Sequence, residues 1–337
     1  MCDFSVRFRG MASISTPNYQ RAISELLSQP VPGRVPFSVE FMPPRDDAAE
    51  ARLWDAALTF HDLGASFVSI TYGAGGGTRE RTARVAERLA AHPLTTLVHM
   101  TLVEHTRGEL EAMLRRYAAA GLSNLLALRG DPPGDALARW KPTPGGLQYA
   151  SELVDLVRSL PECRYFDIGV AAFPEGHPRA ESLESDTRYT VAKLRAGAQY
   201  CITQMFFDVD DYLRLRDRVA AVDPEQGAKP LIPGIMPVTS IQSLHRQVAL
   251  SGSTMPMDLL EAMQRAEREA GSAEQAKKNA RAIGIEFSTR MADLLIAEGV
   301  PDLHFMTMNY ARATQEVLHN LGMAPAWGKG LGHDAVR

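Results

Sequence analysis

Short runs of alternating apolar and polar residues recur along the chain, separated by longer stretches whose apolar residues fall three and four apart. The first pattern has the period of a strand and the second that of a helix. Strand-like runs begin at Phe37 (FSVEFMPP), Phe67 (FVSITYGA), Leu97 (LVHMTLVE), Leu125 (LLALRGDPP), Phe166 (FDIGVAAFPE), Cys201 (CITQMFFD), Leu231 (LIPGIMPV) and Leu303 (LHFMTMN). Helices are predicted at 17–30, 46–63, 79–91, 106–120, 148–159, 186–197 and 209–222. Three more, at 241–250, 257–269 and 273–298, crowd between the seventh and eighth strands. Thr106 and Glu109 spell a capping box at one helix start, and Gly121 and Gly299 supply left-handed stops.

Strands alternating with helices predict an α/β fold, a (β/α)8 TIM barrel with extra helices between strands seven and eight. An open doubly wound sheet is the structural alternative. Residues 17–325 are expected to form this single barrel, between a disordered lead (1–16) and a tail (326–337).

Composition narrows the function. The 337 residues are 45% hydrophobic with a net charge of −4, enough for a large core and without the basic stripe that nucleic acid requires. No apolar run approaches the ~18 residues of a membrane span, and no secretory h-region opens the chain. Cys2, Cys163 and Cys201 form no CxxC, which suits a cytoplasmic protein and points away from disulfides or a metal.

Barrel chemistry gathers at the carboxyl ends of the strands. Those ends bring Glu40, Thr71, His99, Arg129-Gly130-Asp131, Glu175 with His177, and Gln204. Glu40 reads equally well as a charge guarding an edge strand. His99 alone reads first as a core histidine, and the glycines after Thr71 break the dinucleotide fingerprint at Thr78. No G-x-S-x-G elbow and no metal-ligand spacing occurs. The set suits proton donation and redox chemistry better than hydrolysis.

Taken in order, VEFMPPR, FVSITYGAGGGTRERT, ALRGDPP, VAAFPEGHP, AGAQYCITQMFFD, IPGIMPV and LHFMTMN resemble the 5,10-methylenetetrahydrofolate reductase family, in its bacterial single-domain form, over about residues 36–323. The resemblance implies reduction of 5,10-methylenetetrahydrofolate to 5-methyltetrahydrofolate, with NADH or NADPH as hydride donor and FAD as carrier. It implies that Glu40 is the general acid that opens the substrate ring to an iminium, with a pKa raised by partial burial. Asp131 would meet the flavin and the pterin, and Gln204 the pterin and the nicotinamide. Cofactor contacts would come from Thr71, Tyr72, Ala74, His99, Arg129, Gly130, Ala150, Phe173, His177, Ala180, Asp186 and Lys193. Ile241 and Tyr310 would touch the folate. Phe173 stands where a tyrosine is common, Tyr189 and Ala192 where polar or basic contacts are expected, Ile241 where a phenylalanine stacks, and Tyr310 where an arginine is usual. A homo-oligomer is implied as well. Three other readings stay open: the same reaction without a tightly held flavin, another flavin-dependent barrel, and a pterin- or flavin-binding barrel without catalysis.

Overall fold

The computed structural model describes residues 20–29, 35–72, 76–132 and 140–326, with the side chains of 76–79 outside the description. The expected lead (1–16) and the tail from residue 327 lie outside the described residues.

One parallel sheet organises the chain. Its strands are β1 (Phe37–Phe41), β2 (Val68–Ile70), β3 (Thr96–Thr101), β4 (Asn124–Leu128), β5 (Asp167–Ala172), β6 (Tyr200–Thr203), β7 (Leu231–Ile232), β8 (Gly234–Ile235) and β9 (Leu303–Met306). They are ordered β7-β6-β5-β4-β3-β2-β1-β9-β8. The two ends of that order are halves of the seventh predicted strand, broken at Pro233. Leu231 and Ile232 pair with Cys201 and Ile202 of β6, and Gly234 and Ile235 pair with His304 and Phe305 of β9. Proline lacks the N–H that a continuous ladder would use, so the break falls there. Its carbonyl still accepts from the His304 N–H at 3.0 Å. Gly234 lets the halves turn, since a Cβ there would lie 2.3 Å from the Thr203 carbonyl oxygen. The result is a nearly closed barrel of TIM type.

Helices α1 (Ile23–Leu27), α2 (Asp47–Asp62), α3 (Gly76–Ala90), α4 (Arg107–Ala119), α5 (Ala150–Ser159), α6 (Leu183–Arg195), α7 (Val209–Val222), α8 (Pro224–Gly227), α9 (Ile241–Ser251), α10 (Met257–Arg268), α11 (Ala273–Ala297) and α12 (Arg312–Asn320) complete the fold. The Thr106–Glu109 capping box forms as expected, and Gly121 and Gly299 take φ of +82° and +73°.

Strand alternation divides the core in two. Phe37, Val39 and Phe41 face outward onto the helices, with Phe60 of α2 tilted against both phenylalanines at 6.4 and 6.3 Å. Inside the barrel, Phe67, Leu97, Leu126, Tyr200, Ile202 and Ile232 form a separate cluster. The short α1 plugs its amino-terminal end. Ile23 joins the inner cluster, and its N–H donates to Asn124 Oδ1 at 3.1 Å. Ser24 donates its N–H and hydroxyl to Asp167 at 2.7 and 2.8 Å. With the bottom sealed, the carboxyl-end mouth is where a ligand can enter.

Candidate active site

Ser38 and Glu40 share the inward face of β1. Because β1 pairs with β2 on one side and β9 on the other, Glu40 does not guard a sheet edge. Its side chain is 16% exposed, with Oε2 3.6 Å from His99 Nε2 and 3.5 Å from His304 Nε2. Its backbone is fixed too, since the carbonyl accepts the Thr307 hydroxyl at 2.7 Å. Burial pushes the Glu40 carboxyl up, but the hydrogen bond with His304 and the charge interactions with His99 and His304 outweigh it. The net shift is downward. The raised pKa expected from the sequence is therefore corrected for the free chain, because partial burial was weighed there without its imidazole partners. His99 is pushed down to about 4, chiefly by burial, and so is neutral at pH 7.

His304 is wholly buried and stacked on Phe67 at 5.5 Å. Its Nδ1 lies 2.7 Å from the Ser38 hydroxyl, which donates to Asp302 at 2.6 Å. Ser66 donates to the other Asp302 oxygen at 2.6 Å. Burial pushes Asp302 up to about 6. Sequence reasoning passed over Ser38, Asp302 and His304. The signal was available in parity, since His304 and Ser38 are polar residues at inward strand positions.

Across the mouth, Arg129, Gly130 and Asp131 follow β4. Gly130 takes φ +82°, and a Cβ there would lie 2.9 Å from Val103 Cγ1. Asp131 is exposed and its carboxylate meets Arg179 at 3.1 Å. Arg129 lies over the Trp140 ring and 3.1 Å from His177 Nε2. His177 Nδ1 accepts from the Arg179 backbone N–H at 3.0 Å. Burial and the charges of Arg129, Arg179 and Lys193 push His177 down to about 4. Phe173 meets the His177 ring edge-on at 4.7 Å. Asp186 is buried at the start of α6, is pushed up by that burial, and accepts the His177 backbone N–H. Lys193 donates to the Ala171 carbonyl, and burial pushes its ammonium down. The Ala180 N–H donates to the His177 carbonyl at 2.8 Å. Arg179 and Trp140 had drawn no notice in the sequence.

The remaining expected residues are spread over several places in the fold. Thr71 and Gln204 follow β2 and β6 at the mouth, and Gln204 Oε1 accepts its neighbour Met205's N–H at 2.9 Å. Tyr72 bonds His105 Nε2 at 2.6 Å. Ala150 opens α5, where Tyr149 stacks on the exposed Tyr189 at 5.8 Å. Ala74 lies outside the described residues. Glu175 is turned to the scaffold, accepting from Thr254 N–H and hydroxyl at 2.9 and 2.6 Å. Tyr310 lines a cavity of about 430 Å³ between α9, α11 and α12, with Met236, Met306, Met308, Arg246 and Arg281. Ile241 is not among its lining residues and packs instead on the cluster around Leu244 and Met263.

Among the described residues, no group of three or more His, Cys, Asp or Glu could hold a metal ion, and no helix is long and apolar enough to cross a membrane.

The methylenetetrahydrofolate reductase family profile matches residues 26–322. The chain is 35% identical over 312 residues to the 5,10-methylenetetrahydrofolate reductase of Salmonella typhimurium, covering 91% of this chain and 97% of that one. It is 35% identical over 308 residues to that of Escherichia coli, covering 90% and 96%. Methylenetetrahydrofolate reductase (NADH) 1 of Arabidopsis thaliana is 30% identical over 316 residues, covering 90% of this chain and 51% of the plant protein. Among solved structures, a Clostridium thermocellum protein that binds two copies of 5-methyl-5,6,7,8-tetrahydrofolic acid superposes with a TM-score of 0.57 at 14% identity, covering 85% of this chain and 92% of that one. That last likeness speaks for the fold, while the full-length kinship speaks for more: the chain belongs to the methylenetetrahydrofolate reductase family, and by homology its activity is that family's.

Proposed function

We propose that the chain reduces 5,10-methylenetetrahydrofolate with a hydride that originates on NADH or NADPH, and that Glu40 protonates the folate. The observation that carries the reading is Glu40 itself, an inward carboxyl at the mouth, locked at its backbone by Thr307 and flanked by two imidazoles. Proton donation to N10 turns the bridging amine into a leaving group and opens the five-membered ring to an iminium that accepts hydride. In the free chain the carboxyl is held low, yet desolvation is the largest single influence on it. A pterin lying over the mouth removes the remaining water, and this pushes the carboxyl up, in the direction an acid needs.

The family typically uses FAD and NAD(P)H, and the residues present fit such groups. Within the mouth, His99 Nε2 and Thr101 Oγ1 are buried without a hydrogen-bond partner among the described residues. Buried polar atoms of this kind call for a polar-edged ligand. Arg129, Arg179 and Lys193 gather around His177, adding to the burial that chiefly depresses it, and such a cationic cluster suits a dinucleotide pyrophosphate. Arg129, His177, Asp186 and Lys193 would hold FAD on that side, and His99 and Gly130 would border its ring. When bound, the flavin carries hydride from the reduced nicotinamide to the folate. Asp131 and Gln204, beyond the ends of β4 and β6 on either side of β5, would orient the pterin by its polar edge. Thr71 would contact the nicotinamide nucleotide.

The test is Glu40→Gln. Loss of methylenetetrahydrofolate reduction by at least ~100-fold, with NAD(P)H-dependent reduction of a quinone dye retained, is the expected result. Folate turnover at the wild-type rate would remove Glu40 from the mechanism.

A further inference from the structure

Asp131 and Arg179 reach each other across the mouth from different loops. Asp131 follows β4, Arg179 lies between β5 and α6, and Arg179 Nη2 donates to Asp131 Oδ1 at 3.1 Å. The two sides of the pair are unequal. The Arg179 side chain is 14% exposed and that of Asp131 64%. An ion pair between two free surface side chains gains little, because both give up their freedom to make it. Here the arginine is already held. Its backbone N–H donates to His177 Nδ1 at 3.0 Å, and the next N–H, that of Ala180, donates to the His177 carbonyl at 2.8 Å. The Phe173 ring in turn meets the His177 ring edge-on at 4.7 Å. On the other side, the backbone that leads into Asp131 is packed closely, with Gly130 at φ +82° against Val103 and Thr101.

Arg129 is a second cation beside this carboxylate, and it is engaged elsewhere. Its guanidinium lies over the Trp140 ring at 5.4 Å and 3.1 Å from His177 Nε2. Burial and the Arg179 charge push Arg129 down, and the Asp131 charge acts on it in the opposite sense. The carboxylate is left to Arg179.

We propose that Arg179 is the positioning residue of Asp131: it sets the plane of the carboxylate that receives the amino edge of the pterin. The proposal rests on the reading of Asp131 as a pterin contact and deepens it.

A pterin carries an exocyclic amino group beside a ring nitrogen, and where that nitrogen bears hydrogen the two donors point the same way. A carboxylate matches such an edge only when both of its oxygens lie in the plane of the donors, as with a guanidinium. The terminal torsion of an aspartate is broad, so an exposed carboxylate without a partner spreads over many orientations. A bond to one oxygen narrows that spread. It also leaves capacity, since a carboxylate has about four acceptor sites and Arg179 takes one of them. Among the described residues, Oδ2 of Asp131 makes no hydrogen bond. Binding then orders less at the rim, which is the gain of a site set in advance. The ligand also covers the exposed side of the pair and removes water that weakens it.

The experiment is a double-mutant cycle on the full chain loaded with FAD, read by calorimetry as the Kd for 5-methyltetrahydrofolate. Arg179→Met keeps the aliphatic stem and removes the donors. Its Kd should rise roughly 10-fold over wild type. Arg179→Lys restores the charge without the planar fork and should recover only part of that loss. Asp131→Ala should weaken binding as well, and adding Arg179→Met to it should change Kd by less than about 2-fold. The visible flavin band is recorded in every sample, so that loss of FAD does not pass as loss of a folate contact. Where Arg179→Met sheds FAD, Arg179→Lys carries the same cycle. An unchanged Kd in Arg179→Met would overturn the proposal. So would the full loss repeated in Asp131→Ala, because Arg179 would then act on the ligand directly or through FAD. A tighter Kd in Arg179→Met would overturn it too, since Arg179 would be competing with the pterin for the carboxylate. Failure of the underlying reading looks different: Asp131→Ala alone would bind the folate as wild type does, and Arg179 would have nothing to position.

Discussion

The carboxamide of Asn309 closes on the backbone of Met42 from both sides: Oδ1 accepts the Met42 N–H at 2.8 Å, and Nδ2 donates to the Met42 carbonyl at 2.9 Å. Asn309 has φ +65° and its neighbour Met308 φ +53°, so two successive non-glycine residues are held in the left-handed region. Asparagine tolerates that region better than most residues. The clamp ties the chain after β9 to the chain after β1, two residues beyond Glu40.

Asn309→Ala loses both bonds and the residue type that suits the backbone. A destabilisation of about 2–3 kcal/mol is expected from denaturant unfolding, with a fall in kcat for folate reduction because Glu40 loses its fixed strand end. Asn309→Gly separates the causes. It keeps the left-handed conformation and loses only the bonds, so it should be the milder of the two. Equal stability of the alanine variant and the wild type would show that the clamp carries no energy.

Gly130→Ala meets two obstacles at once. The backbone is at φ +82°, and the new Cβ would lie 2.9 Å from Val103 Cγ1 and 3.0 Å from Thr101 Cβ, both within a packed wall. The loop carrying Arg129 and Asp131 must shift. Thermal unfolding should report a loss of about 2 kcal/mol, and the KM for methylenetetrahydrofolate should rise as Asp131 is displaced. An unchanged melting temperature would mean the wall yields more easily than its packing implies.

Much of this was legible in the sequence, and the reasons differ by element. The strand and helix positions followed from periodicity, and α7 matches its expected bounds because Asp208 caps it and apolar spacing continues to Val222. The short α1 and α8 and the terminal α12 were missed or misjudged in extent. Segments of four or five residues, such as α1 and α8, carry too few turns to show a period. The break at Pro233 was visible as a letter, but its consequence was not, because pairing on both sides is a property of barrel closure. Glu40 was legible through its motif. Its partners were not, because Asp302 and His304 lie more than 260 positions away and meet it only once β9 pairs with β1.

Under the proposed use of FAD, the basin around His177 predicts which residues would hold it. Lys193 anchors the end of β5 through the Ala171 carbonyl, and Asp186 holds the His177 N–H. Lys193→Ala and Asp186→Ala should each release flavin on dilution, read as the loss of the visible absorption band after gel filtration. The wild-type band should bleach with anaerobic NADH and return with methylenetetrahydrofolate. A colourless wild type that still consumed NADH with folate would point to direct hydride transfer, and the Tyr149–Tyr189 stack would be the place to look for what fills the basin.

His99 and Asp302 pull stability in opposite directions on the acid side. His99 is depressed to about 4 in the folded chain from an ordinary 6.5, so between those values the unfolded state binds more protons and stability falls as pH falls. Asp302 is raised to about 6 from 3.8, so in that window the folded state binds more protons and stability rises as pH falls. Removing only the histidine unmasks the second effect. Measured by urea unfolding, His99→Asn should gain about 2 kcal/mol relative to wild type between pH 7 and pH 4.5. The sign is the decisive part. A variant that lost ground relative to wild type over the same interval would mean that His99 is charged in the folded chain, paired with Glu40 as an ion, and the neutral imidazole beside Glu40 would have to be abandoned.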